Sequence, residues 1–301
     1  MTTHEPTDET GHETTGLPTP RRIDTFAPHE KRFSICTLVT KPGLYDAMRR
    51  SFADRGFAEP QDEYLCIDNT EANTGDGYEG LARMIAASRG AYAVLVHQDV
   101  ELMEDGADEL AAALAALTEA HPRWALAGNS GIIDGEAVRN LADPYGDERP
   151  RRSLPAEVTS LDENFIVLRR DACLAPSADL SGFHLYGTDL CLQAEARGRT
   201  AHVIDFRLRH LGGGTLDPTF WECREALEAK FARFARPRDV RTPCTTVRLR
   251  SGEAALRRAQ AARDASDKVT KTVARARKEV SHRLLRPLGY KGGLEKRPEE
   301  G

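Results

Sequence analysis

The sequence feature that most constrains the fold is an apolar run that ends in three polar residues. Residues 92–96, which follow Gly90, are apolar or β-prone at every position. This composition is typical of a strand buried on both faces of a parallel sheet. His97, Gln98 and Asp99 come directly after it. Ligands bind outside the carboxyl ends of such strands, so this imidazole and carboxylate could hold a divalent metal. The alternative is a strand end whose polar residues only face water.

The residues before this run alternate between strand and helix patterns. The predicted elements are a strand at 33–39, a helix at 44–55, a strand at 64–67 and a helix at 78–88. Such alternation predicts an α/β fold in which helices flank a mostly parallel sheet. The first strand is not followed by a Gly-x-Gly-x-x-Gly motif, which weakens a dinucleotide-binding interpretation.

The residues after Asp99 predict further elements of the same kind. These are a helix at 101–120, strands at 124–127, 158–160 and 165–168, a helix at 189–196, a strand from 201 that runs on to His210, and a helix at 218–236. Residues 128–156 show no period over nearly thirty positions. A connection of that length predicts a functional loop or lid.

The two ends of the chain carry opposite charge. Residues 1–30 have six acids against two arginines and few apolar side chains, so we predict a disordered acidic tail. Residues 251–301 have thirteen Lys or Arg and seven Asp or Glu. The predicted domains are therefore the tail at 1–30, one domain at 31–240, a basic amphipathic helical extension at 251–290 and a disordered tail at 291–301. The extension could contact a membrane surface peripherally or mediate self-association.

Composition narrows the compartment and the partners. No run approaches the roughly 20 apolar residues of a membrane span, and the N-terminus has no apolar signal region. The six cysteines are scattered without a Cys-x-x-Cys pair, which favours buried reduced thiols. We expect a cytoplasmic location. A peripheral position at the inner face of the membrane is compatible with it. The mildly acidic middle of the chain gives no reason to expect nucleic acid as a partner.

Polar side chains follow three of the predicted strands. Asp68 and Asn69 end the second strand, His97 and Asp99 end the strand at 92–96, and His210 ends the late strand. Because the carboxyl ends of parallel strands share one edge of a sheet, we expect these groups to converge.

Three sequence segments, taken in order, resemble a known family. They are Ile-Asp-Asn-Thr at 67–70, Ala-Ala-Ser-Arg-Gly-Ala-Tyr-Ala-Val-Leu-Val-His-Gln-Asp at 86–99, and Gly-Thr-Asp-Leu-Cys-Leu-Gln-Ala-Glu-Ala-Arg-Gly at 187–198. The ordered set resembles glycosyltransferase family 2, which has the GT-A fold. It is most similar to the branch whose Asp-X-Asp metal motif is written His-Gln-Asp, as in streptomycin-biosynthesis-type glycosyltransferase domains. The resemblance covers residues 33–236.

The resemblance implies an inverting transfer from a UDP-, dTDP- or GDP-sugar to a hydroxyl of a glycan, lipid-linked or small-molecule acceptor. A Mg²⁺ or Mn²⁺ ion would neutralise the charge that develops on the diphosphate. It further implies that Asp99 binds this metal, with His210 as a second ligand. The donor-binding residues that it implies are Asp68, Asn69, His97 and Gln98.

The general base is the point at which the sequence departs from the family. The family places an Asp two residues before the Asp-Leu that opens the helix, and Gly187 stands there in this chain. Asp189 is the nearest carboxylate and our first choice as base, although an Asp at this position could equally cap the helix. Asp162, Glu163 and His184 are the remaining acceptor-side candidates.

Two other functions stay open from the sequence. The missing carboxylate at Gly187 is compatible with a non-catalytic protein that binds a nucleotide sugar or serves as a scaffold. A different α/β enzyme, such as a nucleotidyltransferase or a metal-dependent hydrolase, would use a similar sheet edge. Consumption of nucleotide sugars, rather than nucleoside triphosphates and sugar phosphates, separates a glycosyltransferase from both.

Overall fold

The computed structural model of the protein describes residues 28–214 and 217–249. The chain divides into two compact units, Met1–Leu227 and Glu228–Gly301. Apart from residues 28–30, the predicted acidic tail lies outside the described residues. The predicted extension at 251–290 and the tail at 291–301 lie outside them as well.

The first half of the first unit alternates strands and helices in the predicted order. Its elements are β1 (Lys31–Val39), α1 (Pro42–Ala53), β2 (Glu63–Asp68), α2 (Glu79–Ala87), β3 (Gly90–Val96), β4 (Val100–Leu102), α3 (Ala107–Ala120) and β5 (Trp124–Gly128).

The second half is richer in short strands. Its elements are β6 (Ser130–Ile133), β7 (Glu136–Arg139), β8 (Leu141–Asp143), β9 (Gly146–Glu148), β10 (Ala156–Val158), β11 (Ser160–Leu161), β12 (Phe165–Arg169), α4 (Tyr186–Ala196), β13 (Thr200–Val203) and β14 (Leu208–His210). Helix α5 (Pro218–Ala235) begins in this unit, and its residues 228–235 belong to the second one. The second unit contains an antiparallel hairpin of β15 (Arg238–Arg241) and β16 (Thr246–Leu249).

The main sheet has seven strands in the order β10-β13-β5-β12-β3-β1-β2. β1 is parallel to β2 and β3, and β5 is parallel to β13. β12 runs antiparallel between β3 and β5, so those two strands point the same way. With β10 antiparallel to β13, five of the seven strands share one direction. The predicted α/β class with a mostly parallel sheet is therefore confirmed.

Helices cover both faces of this sheet. On one face, Phe52 of α1 and Leu110 of α3 lie in one fully buried cluster with Phe33 and Val94 of the strands. On the other face, α2 approaches β1 so closely that a Cβ at Gly80 would lie 3.1 Å from the Leu38 side chain. Strands covered in this way must be apolar on both faces. None of the helices within residues 28–214 and 217–249 combines the length and apolar character of a membrane span.

The six cysteines all lie within the described residues, and they form no disulfide. Cys36, Cys191 and Cys223 are buried, as predicted from the sequence. The other three thiols, at positions 66, 173 and 244, are exposed, so the prediction of burial is wrong for them.

The prediction of an irregular loop or lid at residues 128–156 is wrong. This region forms the hairpins β6–β7 and β8–β9 and the start of the edge strand β10. Asp134 and Gly135 both have positive φ angles, +52° and +79°, between β6 and β7. An Asp-Gly pair with positive φ at both positions is the turn that favours a two-residue hairpin. This Asp-Gly turn signal was present in the sequence. Strands of three or four residues are too short to show the alternation of apolar and polar residues that identifies a hairpin.

Two further boundaries differ from prediction and together build the functional edge. The helix predicted from residue 101 begins at Ala107, because Val100–Leu102 instead forms β4. The strand predicted to continue to His210 ends at Val203, and Leu208–His210 forms β14. β4 and β14 pair antiparallel in a separate four-stranded sheet, with Val100 opposite His210.

Candidate functional site

Two histidines and an aspartate converge at the carboxyl edge of the main sheet. His97 follows β3, Asp99 immediately precedes β4, and His210 ends β14. The pairing of β4 with β14 brings them together, and the Leu211 amide donates to the Asp99 carbonyl at 2.9 Å. His210 Nε2 lies 3.4 Å from Asp99 Oδ1 and 3.4 Å from His97 Nδ1. One ligand atom from each residue falls within 4.8 Å of the others.

A glycine lies directly beside this His97–Asp99–His210 cluster. A Cβ at Gly212 would lie 2.5 Å from Asp99 Oδ2 and 3.4 Å from His210 Nε2, so a side chain there would require the Asp99 carboxylate to move. The side chains of His210 and Asp99 are 13% and 23% exposed, which shields them while keeping them within reach of a ligand. Two imidazoles and a carboxylate fit a divalent transition metal such as Mn²⁺ better than Mg²⁺, which prefers oxygen ligands only.

A tyrosine fixes the orientation of the His97 ring. Tyr186 Oη lies 3.1 Å from His97 Nε2 and 3.2 Å from the backbone oxygen of Glu163. Both contacts are satisfied when the Tyr186 hydroxyl donates to the carbonyl and its oxygen accepts a hydrogen bond from His97 Nε2–H. This tautomer directs the Nδ1 lone pair towards His210 and Asp99, which is the outer-shell arrangement that metal-binding histidines commonly use.

The electrostatics of the cluster favour a neutral His97 and an ionised Asp99. Burial, together with the neighbouring His210, lowers the pKa of His97. Burial alone would raise the pKa of Asp99, but hydrogen bonding and attraction from His210, followed by His97, outweigh it, and the pKa is lowered. These are the protonation states in which both groups can bind a cation.

Gln98 lies between the two ligands in sequence, but its amide faces away from them. Its Oε1 accepts from the backbone amides of Thr40 at 2.9 Å and Lys41 at 2.7 Å, and its Nε2 donates to Thr40 Oγ1 at 2.7 Å. The side chain therefore joins the end of β3 to the end of β1 and positions the backbone there. We infer a positioning role for Gln98 rather than the predicted direct contact with the donor.

Asp68 and Asn69 end β2, one strand beyond β1. Two strand spacings, roughly 10 Å, separate this point from the end of β3. The exposed Asp68 carboxylate accepts from the Thr70 amide at 2.9 Å and its hydroxyl at 2.6 Å, and these hydrogen bonds lower its pKa. The buried Asn69 side chain accepts from the Thr74 amide and donates to the Gly75 carbonyl, so it shapes the loop at 70–75. Asp68 thus faces the edge, while Asn69 supports it.

Asp189, the predicted base, is enclosed in the protein. Helix α4 begins at Tyr186 rather than at Asp189, which places Asp189 in its first turn, fully buried. Its carboxylate accepts from the Ser177 amide at 2.8 Å, the Ser177 hydroxyl at 2.6 Å and Gln193 Nε2 at 2.8 Å. A carboxylate held in this way cannot meet an acceptor hydroxyl, so this geometry contradicts Asp189 as the base.

The other acceptor-side candidates lie nearer the edge. The exposed Asp162 accepts from Asn164 through Oδ1, and His184 Nε2 lies 3.9 Å from the Asp217 carboxylate. Glu163 Oε1 accepts from the Gly187 amide at 3.3 Å. Burial, with a smaller contribution from Asp162, raises the pKa of Glu163 to about 8.

Comparison with known proteins places the chain in a family without stating an activity. No family model matches the chain. It is 38% identical over 228 residues to "ATP synthase subunits region ORF 6" of Fuscovulum blasticum, which spans 73% of this chain and 90% of that protein. The chain belongs to the ORF 6 family.

Several solved structures are also similar to this ORF 6 family member. S. aureus TarS 1-349 in complex with UDP-GlcNAc is 14% identical with a TM-score of 0.47, and 66% of each chain is covered. The mannosyltransferase PcManGT from Pyrobaculum calidifontis, in complex with GDP-Man and Mn²⁺, is 12% identical with a TM-score of 0.45, over 72% of this chain and 69% of that one. In another structure of TarS 1-349, 60% of each chain is covered.

Sequence reasoning missed two residues of this ORF 6 site. Tyr186 directly precedes the segment at 187–198 that carries the family resemblance, and its position carried no separate signal. Gly212 belongs to the Gly-Gly-Gly run directly after His210. Glycines beside a possible ligand commonly mark a close backbone approach, so this run could have indicated that the backbone after His210 lies close to the cluster.

Proposed function

We propose that this protein is a GT-A-type glycosyltransferase that transfers a sugar from a nucleoside-diphosphate sugar to an acceptor hydroxyl with inversion. The observation that carries the proposal is the convergence of His97, Asp99 and His210 at the sheet edge that also presents Asp68. Ligands of α/β sheets bind at this edge. The ordered resemblance to glycosyltransferase family 2, which runs through the same residues, supports the same function.

The proposed roles follow from position. Asp99, His97 and His210 hold a divalent cation, which supplies charge neutralisation for the diphosphate leaving group. Asp68, roughly 10 Å along the edge, accepts hydrogen bonds from the ribose or base of the donor. Gln98 keeps the Thr40–Lys41 backbone in place between them. The donor nucleoside is uridine, thymidine or guanosine, and Mn²⁺ suits the imidazole ligands better than Mg²⁺.

Binding measurements test this proposal directly. Isothermal titration of UDP, dTDP and GDP, with and without Mn²⁺, is expected to reveal one nucleotide whose binding depends on the metal. Asp99→Ala should abolish the Mn²⁺ dependence. Asp54→Ala, which removes an exposed carboxylate at the end of α1, should leave it intact. The proposal fails if the wild-type protein binds no nucleotide in a metal-dependent way.

One observation favours a second candidate, a protein that binds a nucleotide sugar without transferring it. Gly187 leaves α4 without the carboxylate that the family resemblance leads us to expect. Release of nucleoside diphosphate from a nucleotide sugar by the wild-type protein, lost in Asp99→Ala, would rule this candidate out.

A further inference from the structure

We propose that Glu163 is the general base of this site, because its carboxylate lies beside Gly187 at the start of α4 and on the same sheet edge as His97. This inference rests on the proposed transferase function. It assigns the proton acceptor to a loop residue before β12 rather than to the helix itself.

The first support is the contact between Glu163 and Gly187. The Gly187 amide donates to Glu163 Oε1 at 3.3 Å, and a Cβ at this glycine would lie 3.4 Å from the same oxygen. It would also lie 2.6 Å from the Leu161 carbonyl. The Leu161 carbonyl therefore excludes a side chain at position 187, and the Glu163 carboxylate lies in van der Waals range of the position that its Cβ would take.

The second support is the link between Glu163 and the His97–Asp99–His210 cluster. β12 pairs antiparallel with β3, so the residues just before β12 lie at the carboxyl end of β3. The His97 amide donates to the Asn164 carbonyl at 3.1 Å. Tyr186 Oη bridges His97 Nε2 and the Glu163 backbone oxygen. Glu163 is therefore connected to His97 by the hydrogen bonds of Tyr186 and by the pairing of β12 with β3.

The third support is the engagement of the other candidates. Asp189 is fully buried against Ser177 and Gln193. Asp162 Oδ1 accepts from both the amide and the side chain of Asn164. The His184 ring packs edge-on against Phe220 and points Nε2 towards Asp217. Among these four residues, Glu163 is the partly exposed carboxylate whose described side-chain contacts are backbone amides at the start of α4 and its own amide.

The chemistry of the step balances with a carboxylate at this place. The acceptor oxygen forms a bond to the anomeric carbon as the bond from that carbon to the diphosphate oxygen breaks, and the diphosphate keeps the electron pair. The acceptor proton passes to Glu163, which later returns it to solvent. Burial and Asp162 raise the pKa of Glu163 to about 8. The other titratable groups that interact with it are Tyr78, Tyr186 and Cys191. General bases work best when their pKa lies near the operating pH, so this pKa suits proton removal near neutral pH.

The test uses the full chain with Mn²⁺ and three donors, UDP-GlcNAc, dTDP-glucose and GDP-mannose. Release of nucleoside diphosphate is measured with water as acceptor and again with azide, which has no proton to lose. Glu163→Gln is expected to slow release to water by about 100-fold or more. It should slow release to azide much less and leave Mn²⁺-dependent nucleotide binding unchanged.

The controls separate this inference from the function on which it rests. Glu59→Gln removes an exposed carboxyl group in the segment between α1 and β2, and it should release nucleoside diphosphate at the wild-type rate. Wild-type rates in Glu163→Gln, with nucleotide binding intact, would overturn the assignment of the base alone. Absence of metal-dependent nucleotide binding in the wild-type protein would overturn the transferase function, and Glu163 as its base with it.

Discussion

The Tyr186 hydroxyl lies 3.1 Å from His97 Nε2, and this contact determines which nitrogen of the imidazole faces His210. Tyr186 stands in the first turn of α4, whereas His97 follows β3. The helix start and the strand end are therefore coupled through one hydrogen bond. The same hydroxyl donates to the backbone oxygen of Glu163, so one side chain links the His97–Asp99–His210 cluster with the proposed base.

Removing this hydroxyl should weaken metal binding. Tyr186→Phe leaves His97 without its outer-shell partner, and we expect Mn²⁺ affinity to fall by about 10- to 100-fold. Isothermal titration with Mn²⁺ measures the change. Tyr78→Phe is the matched control, because Tyr78 is also buried and donates to the His184 carbonyl, away from the ligands. Equal Mn²⁺ affinities for the wild type and Tyr186→Phe would contradict the proposed tautomer.

Adding a methyl group beside the His97–Asp99–His210 cluster should also weaken Mn²⁺ binding. In Gly212→Ala the new methyl group would lie 2.5 Å from Asp99 Oδ2, so the carboxylate must move. We expect Mn²⁺ affinity to fall by about 10-fold or more, since outer-shell changes of this kind cost that much. Gly146→Ala introduces the same methyl group where no atom lies within 4 Å, and it should bind Mn²⁺ as the wild type does. Unchanged binding by Gly212→Ala would show that the ion is held elsewhere.

Asp189 is expected to matter for stability rather than for proton transfer. Asp189→Ala leaves the Ser177 amide and hydroxyl without their acceptor and removes one of the acceptors of Gln193 Nε2, which should cost about 3 kcal/mol of unfolding free energy. Urea denaturation measures this loss. Asp54→Ala, at an exposed position, should stay within about 0.5 kcal/mol of the wild type. A loss of donor consumption in a fully stable Asp189→Asn protein would restore Asp189 as a candidate base.

The raised pKa of Glu163 also predicts how stability changes with pH. Its pKa rises from 4.5 to about 8 on folding, so between these values the folded protein holds a proton that the unfolded chain has released. Glu163 therefore reduces stability progressively as the pH rises through this range, by at most about 1.4 kcal/mol per pH unit. Glu163→Gln, which cannot ionise, should gain stability relative to the wild type between pH 5 and 8. Urea midpoints at both pH values test this, and a constant difference would contradict it.

Much of the fold was predictable because its larger elements carry strong local signals. The strand before His97 is continuously apolar, and the helices before Gly56 and Gly90 place apolar residues on one face. Short strands carry no such signal. β4 has three residues and exists because β14 lies opposite it, which no local pattern shows.

The convergence of three polar side chains at this edge was predictable from the sequence, but which carboxylates are buried was not. Asp99 and His97 follow a strong strand, and His210 converges with them although the strand that holds it differs from the predicted one. Whether a carboxylate is enclosed depends on distant partners, and Ser177 is twelve residues from Asp189. The sequence alone could not separate Asp189 from Glu163 for this reason.

The most direct test of the transferase function is consumption of a nucleotide sugar. Wild-type protein and Asp99→Asn are incubated with UDP-GlcNAc, dTDP-glucose or GDP-mannose and Mn²⁺, and the free nucleoside diphosphate is quantified. The proposed function predicts release from at least one donor by the wild type, dependence on Mn²⁺, and loss of that release in Asp99→Asn. No release by the wild type from any donor, or equal release by Asp99→Asn, would contradict it.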